Sequence, residues 1–155
     1  MKVLKDAEGT FIVYMIPIDK NCNLEEKQEI IKLVKNTVLK ANKIYHLNLK
    51  GFYKVRVYLN QKVGLVIEIV NVDDISLNNA IDLRVLVYFE QDFYIEVDNF
   101  DFLPLHKKVF YIDERYYVNV DTLSEEEVFS LLEFGEIVYK TDTIDNFHMA
   151  RLIES

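Results

Sequence analysis

The chain is poor in the features that mark secreted scaffolds and common catalysts. Its 155 residues include one cysteine, no tryptophan, four glycines and two prolines. A single Cys excludes a disulfide framework. The isolated glycines Gly9, Gly51, Gly64 and Gly135 exclude a Gly-rich phosphate loop and a Gly-x-Ser-x-Gly nucleophile elbow. No apolar run approaches the roughly 20 residues of a membrane span. The start, Met1 to Glu8, has no apolar stretch of signal-peptide length. The expectation is a soluble, cytoplasmic protein without a membrane partner.

What is present is a globular composition. Half the residues are hydrophobic, 28% are charged, and Phe and Tyr number ten each, enough for a packed core. The net charge of −8 argues against nonspecific binding of nucleic acid. That total hides a division. Residues 1–72 carry 12 Lys/Arg against 7 Asp/Glu, a net of +5. Residues 73–155 carry 6 against 19, a net of −13. Segregation of this kind points to two units with different partners.

The residue pattern predicts a first unit of order β-β-α-β-β over 1–72. The polar stretch Lys5 to Gly9 is a turn between Met1–Leu4 and the β-branched, aromatic run Thr10–Ile16, which stops at Pro17. Asn23 and Glu26 have the spacing of a helix N-terminal capping box. Ile30, Ile31, Val34, Val38, Ala41 and Tyr45 then fall on one helical stripe, with Lys32, Lys35, Lys40 and Lys43 largely off it. Phe52–Leu59 and Leu65–Ile69 alternate with period two about the loop Asn60–Gly64, as a hairpin with one buried face does.

The Asn- and Asp-rich stretch from Asn71 to Ala80 is the linker candidate, and the boundary is set at 73–82. A second unit over 83–155 then opens on the strand Leu83–Phe89. Residues 91–100 are ambiguous: propensity favours a strand, while Phe93, Val97 and Phe100 also fit a helical stripe. Val109–Ile112 and Tyr116–Val120 form a hairpin about Asp113 to Arg115. Ser124-Glu125-Glu126-Glu127 is a capping box, with Leu123 stapled onto Val128 and Gly135 at the helix end. The predicted fold class is α+β: two small domains, each an antiparallel or mixed sheet packed against one or two helices.

No constellation of catalytic residues emerges. His46, His106 and His148 are scattered and lack metal-ligand spacing. Cys22 precedes a helix but has no nearby His. Glu125, Glu126 and Glu127 occupy a helix first turn, where the macrodipole favours negative charge. Basic and aromatic residues interleave at Phe52 to Tyr58, without the Gly- and Phe-rich signature of an RNA-recognition strand. The expectation is a protein that is not an enzyme, with no metal, no cofactor and no nucleic-acid partner; homo-oligomerisation is left open.

The order of residues resembles the MecA family of adaptors for the ClpC-type AAA+ protease, in a shortened form. Thr10-Phe11-Ile12-Val13-Tyr14-Met15, Lys50-Gly51-Phe52-Tyr53-Lys54-Val55-Arg56-Val57 and Lys62 to Ile69 are similar to strands of the family's N-terminal domain. Leu86 to Phe93, Val109 to Asp121, Glu125 to Val128, Leu131 to Phe134 and, loosely, Thr143 to Ile153 are similar to its C-terminal domain. By this resemblance residues 91–99 are a helix, and the family's long charged linker is cut to about ten residues. The resemblance implies a non-catalytic adaptor whose N-terminal domain binds a substrate protein and whose C-terminal domain binds a ClpC-type AAA+ unfoldase. Charge and expected exposure, not a family motif, select the surfaces. Asp113, Glu114, Tyr116, Glu125, Glu126 and Glu133 are assigned to the unfoldase, and Lys32, Lys35, Lys54 and Arg56 to the substrate. The alternative is a single-domain α+β regulatory or ligand-binding module with no protease link.

Overall fold

The computed structural model describes residues 1–16, 25–73, 81–89, 92–104, 107–139 and 151–154. The chain divides into two units, Met1–Glu90 and Gln91–Ser155. Each holds a five-stranded sheet. The protein is α+β, with one α-helix to each sheet among the described residues.

The first unit contains β1 (Lys2–Lys5), β2 (Phe11–Met15), α1 (Lys27–Tyr45), β3 (Gly51–Asn60), β4 (Gly64–Asp73) and β5 (Ile81–Tyr88). The opening hairpin forms as expected. Asp6 Oδ1 accepts from the amides of Glu8 and Thr10, both at 2.9 Å, and Gly9 takes the left-handed φ of 86° that closes the turn. The sheet order is β1-β2-β4-β3-β5. Strands β2 and β3 both run antiparallel to β4, so they are parallel to each other, and α1 is the crossover that joins them.

Helix α1 forms because its apolar residues recur at 3.6 spacing. Ile30, Val34, Val38 and Ala41 are fully buried against Val13, Val55, Val57, Leu59, Leu65, Ile67 and Ile69. Only one face of the sheet can meet the helix, and period-two alternation sends Lys54, Arg56 and Tyr58 to the other. The helix start differs from expectation. Glu26 is itself the N-cap and makes no side-chain cap bond; Asn23 lies outside the described residues. The helix ends at Tyr45, where His46 adopts a left-handed φ of 54°.

Two expectations about the boundary are corrected. Asn71 to Asp73, expected in the linker region, continue β4; positions 74–80 lie outside the described residues. The strand expected to open the second domain belongs to the first sheet instead. β5 runs parallel to β3 with Val55 opposite Val85 and Val57 opposite Val87. Its inward residues Leu83, Val85 and Val87 extend the core under α1. The first unit therefore reaches Glu90, rather than ending at 72.

The second unit contains β6 (Tyr94–Val97), β7 (Lys108–Ile112), β8 (Arg115–Asn119), α2 (Glu125–Leu132), β9 (Glu136–Val138) and β10 (Arg151–Glu154). Its sheet is antiparallel throughout, in the order β10-β7-β8-β6-β9. The helix expected at 91–99 is the strand β6. Its residues alternate across the sheet: Ile95 and Val97 are buried on one face, Tyr94 and Glu96 point to the other. β-Propensity and ladder pairing on both sides outweigh the helical spacing of Phe93, Val97 and Phe100.

Helix α2 starts on the expected capping box. The Glu127 amide donates to Ser124 Oγ at 3.1 Å, and the Ser124 amide donates to Glu127 Oε1 at 2.9 Å. Leu123 and Val128 are both buried. Gly135 is required for a different reason than a left-handed helix end. A Cβ there would collide with the backbone oxygen of Glu96, so β9 can pair with β6 only with glycine at this position. Gly64 meets the same condition in the first unit, against the backbone oxygen of Met15.

Candidate functional site

The candidate residues of the first unit fall on two opposite faces. Lys32 and Lys35 are exposed on α1, away from its buried stripe. Lys54 and Arg56 lie on the sheet face that the helix does not cover. The four cations do not form one surface, because a sheet separates the two pairs.

Arg56 also lies beside a buried carboxylate of the fold. It stands directly opposite Glu68 on β4, and Glu68 is buried, at 5% exposure. The Tyr58 hydroxyl donates to Glu68 Oε1 at 3.1 Å. Burial, then the charge and hydrogen bond of Glu68, push the Tyr58 phenol up to about 12, with Arg56 acting in the opposite sense. Tyr58 stacks on Tyr88 of β5, ring centroids 5.1 Å apart. Lys54 has a different neighbour. It pairs in register with Arg84 of β5 on the same face.

The acidic candidates of the second unit are exposed but spread over it. Asp113 and Glu114 form the two-residue turn between β7 and β8, with φ of 49° and 66°. Positive φ at both positions suits the twist of the flanking strands. Glu125 and Glu126 lie beyond the other end of β8, in the first turn of α2. Strands β8 and β9 both run antiparallel to β6 and are therefore parallel. So α2 returns along the sheet and carries Glu133 back toward the end where β8 begins. Tyr116 is half-buried and packs against Phe100 at 5.4 Å and Tyr111 at 5.0 Å. Its ring belongs to this packing rather than to a free surface. Glu127 is committed too: its hydrogen bond to the Ser124 amide comes first, Lys107 at 3.7 Å adds to it, and the carboxyl is held below its usual range.

Sequence reasoning missed the exposed aromatic residues of this unit. Phe102 and Phe134 stack at 4.4 Å with 39% and 52% of their surface exposed. Phe102 also borders a groove of about 290 Å³ against α2, with Leu103 and Leu131 below and Glu126 at its edge. The available signal was negative. Phe134 lies past the α2 stripe of Val128, Leu131 and Leu132, and so has no place on the helix's buried face.

On the sheet face opposite Ile95, Val97 and Val118, Tyr94 and Tyr117 cluster with Phe110, Ile112 and Val138. Glu96 joins Arg115 there at 3.2 Å. Burial first, and the Glu96 hydrogen bond and charge next, raise the Tyr117 phenol to about 12.

Among the described residues no group of three or more His, Cys, Asp or Glu is arranged to hold a metal ion. Cys22, His106 and His148 lie outside those residues. No helix among them is long and apolar enough to cross a membrane. Compared with protein-family models, curated proteins and solved structures, the chain matches none.

Proposed function

We propose that the protein is a non-catalytic adaptor that holds two protein partners, one on each unit. In this reading the first unit binds a substrate protein and the second binds a ClpC-type AAA+ unfoldase. The observation that carries it is the exposed Phe102–Phe134 stack in a strongly acidic unit. Aromatic residues, Phe among them, are enriched at protein interfaces relative to the rest of the surface. With the unit boundary at Glu90, residues 91–155 carry 5 Lys/Arg and 15 Asp/Glu, a net of −10, while residues 1–90 carry 13 and 11, a net of +2. Such a field steers a cationic partner to the second unit and leaves the first to a different one. Joining the two sites raises the local concentration of one partner at the other.

The surface chemistry argues for the class of partner, a cationic and partly apolar protein surface. The unfoldase itself is named by the sequence resemblance. The test is capture of partners from cell extract on the immobilised protein, in the presence of ATP. The expected result is recovery of an AAA+ unfoldase. A variant with Glu125, Glu126 and Glu133 changed to Lys should weaken that binding at least about tenfold at low salt. Unchanged affinity would remove the second unit's acidic surface from the interface. A second reading, a ligand-binding module without a protease link, is favoured by a groove of about 520 Å³ lined by Phe52, Lys54 and Arg84 among others.

A further inference from the structure

The helix-free face of the first sheet carries a groove of about 520 Å³, lined by Phe52, Tyr53, Lys54, Val72, Asp82 and Arg84. Its size lies within the range of small-molecule sites, about 300–1,000 Å³. Three features of the backbone and charge arrangement set it apart from an ordinary crease.

The groove forms at a β-bulge. Phe52 pairs with Asp73 of β4, but Tyr53 pairs with Asn71, which leaves Val72 without a partner in the ladder. Bulges re-aim side chains, and they concentrate beside functional sites. Here Val72 is 66% exposed and Phe52 46% exposed.

Two cations lie side by side. Lys54 and Arg84 are direct register partners on the parallel strands β3 and β5. Like charges placed opposite each other destabilise a sheet. Among the described residues neither side chain has an ion-pair or hydrogen-bond partner to offset this. An anion between them would reverse the sign of that cost.

The apolar wall sits at a fixed distance from the cations. Phe52 precedes Lys54 by two residues, about 7 Å along the strand, and Asp82 is its register partner on β5. A planar ring on Phe52, an anion on Lys54 and Arg84, and a hydrogen-bond donor on Asp82 would fill all three positions.

We propose that this groove binds a nucleoside monophosphate. The phosphate lies between Lys54 and Arg84, the base stacks on Phe52, and Asp82 accepts a hydrogen bond from a ribose hydroxyl or an exocyclic amine. A phosphate monoester carries about −1.5 to −2 charges near neutral pH and so matches two adjacent cations. A single carboxylate would neutralise only one. The ring of Phe52 and the side chain of Val72 supply the apolar contact that free phosphate cannot use. This site is separate from the acidic surface of the second unit and does not depend on the adaptor reading.

The test is calorimetric titration of the full chain with AMP, GMP, CMP and UMP, with inorganic phosphate and adenosine as partial ligands. At least one nucleotide should bind more tightly than either partial ligand. Lys54→Ala and Arg84→Ala should each weaken it about tenfold, as loss of a charge-assisted hydrogen bond does. Phe52→Ala should weaken the nucleotide about tenfold and leave inorganic phosphate unchanged. Lys40→Ala, at an exposed position of α1, should have no effect; circular dichroism checks that each variant is folded. The proposal is overturned if no nucleotide binds at millimolar concentration, or if phosphate alone binds equally well. It is also overturned if Lys40→Ala weakens binding as much as Arg84→Ala, which would mean diffuse attraction of anions. None of these outcomes bears on the capture of an unfoldase by the second unit.

Discussion

The two units use the same connection to different ends. In the first, α1 joins the parallel strands β2 and β3 across the antiparallel β4. In the second, α2 joins β8 and β9 across β6. Both sheets also carry, on one face, an Arg-x-Tyr pair with a glutamate from the neighbouring strand. These are Arg56, Tyr58 and Glu68 in one, and Arg115, Tyr117 and Glu96 in the other. The helices differ in how they are held. α1 has 19 residues and is secured by a long buried stripe without a side-chain cap. α2 has 8, a short helix for which termini matter more, and it begins on a complete capping box. The comparison teaches that a shared backbone arrangement is stabilised by whichever term its length allows. It also leaves the outer surfaces free to diverge, mixed in charge on one unit and acidic on the other.

The sharpest way to break this comparison is at the two glycines. A Cβ at Gly64 or at Gly135 meets a backbone oxygen of the neighbouring strand, Met15 or Glu96. Backbone cannot rotate away, so Gly64→Ala and Gly135→Ala should each destabilise their own unit by about 1–3 kcal/mol, measured by urea unfolding. If one of them is neutral, the units do not share this constraint.

A smaller effect separates the helix starts. Ser124→Ala should cost about 1 kcal/mol through loss of the cap, whereas Glu26→Ala at the start of α1 should cost nearly nothing, because its side chain caps no amide. Equal losses in the two variants would remove the distinction between them.

The smallest effect concerns the two raised tyrosines. Tyr58 and Tyr117 keep their protons up to about pH 12 in the fold, against an ordinary value of 10.0. The unfolded chain releases those protons first, so this contribution to stability is present below about pH 10 and is lost as the pH rises toward about 12. Tyrosinate absorbance should show late-titrating phenols that disappear in Tyr58→Phe and Tyr117→Phe. The pH dependence of unfolding should flatten in the same variants. A normal titration in either would break the likeness of the two clusters.

Much of the fold was legible in local pattern. The stripe Ile30, Val34, Val38 and Ala41 and the alternation through β3 and β4 identify their elements, because burial on one face imposes the period. The box at Ser124 identified α2 from two residue types at one spacing. The errors share a cause. Ile81–Tyr88 looks like a strand in any context, but its partner, β3, lies about 30 residues away in sequence, and nothing within the strand names it. Residues 94–97 fit two periods over four positions, too few to separate them. The candidate surfaces were chosen by charge, and charge does not show which cations a sheet divides.

The sequence by itself determined the α+β class, the opening hairpin, the buried stripe of α1, the capped start of α2 and the opposite charge bias of the two ends. Each of these follows from residues close together in the chain. Only the tertiary structure decided that β5 completes the first sheet, that Lys54 and Arg84 stand side by side, that Phe102 stacks on Phe134, and that Glu68 is buried beneath Tyr58. Those are pairings between distant segments, and they are set by register across a ladder and by packing in three dimensions, neither of which a one-dimensional pattern encodes.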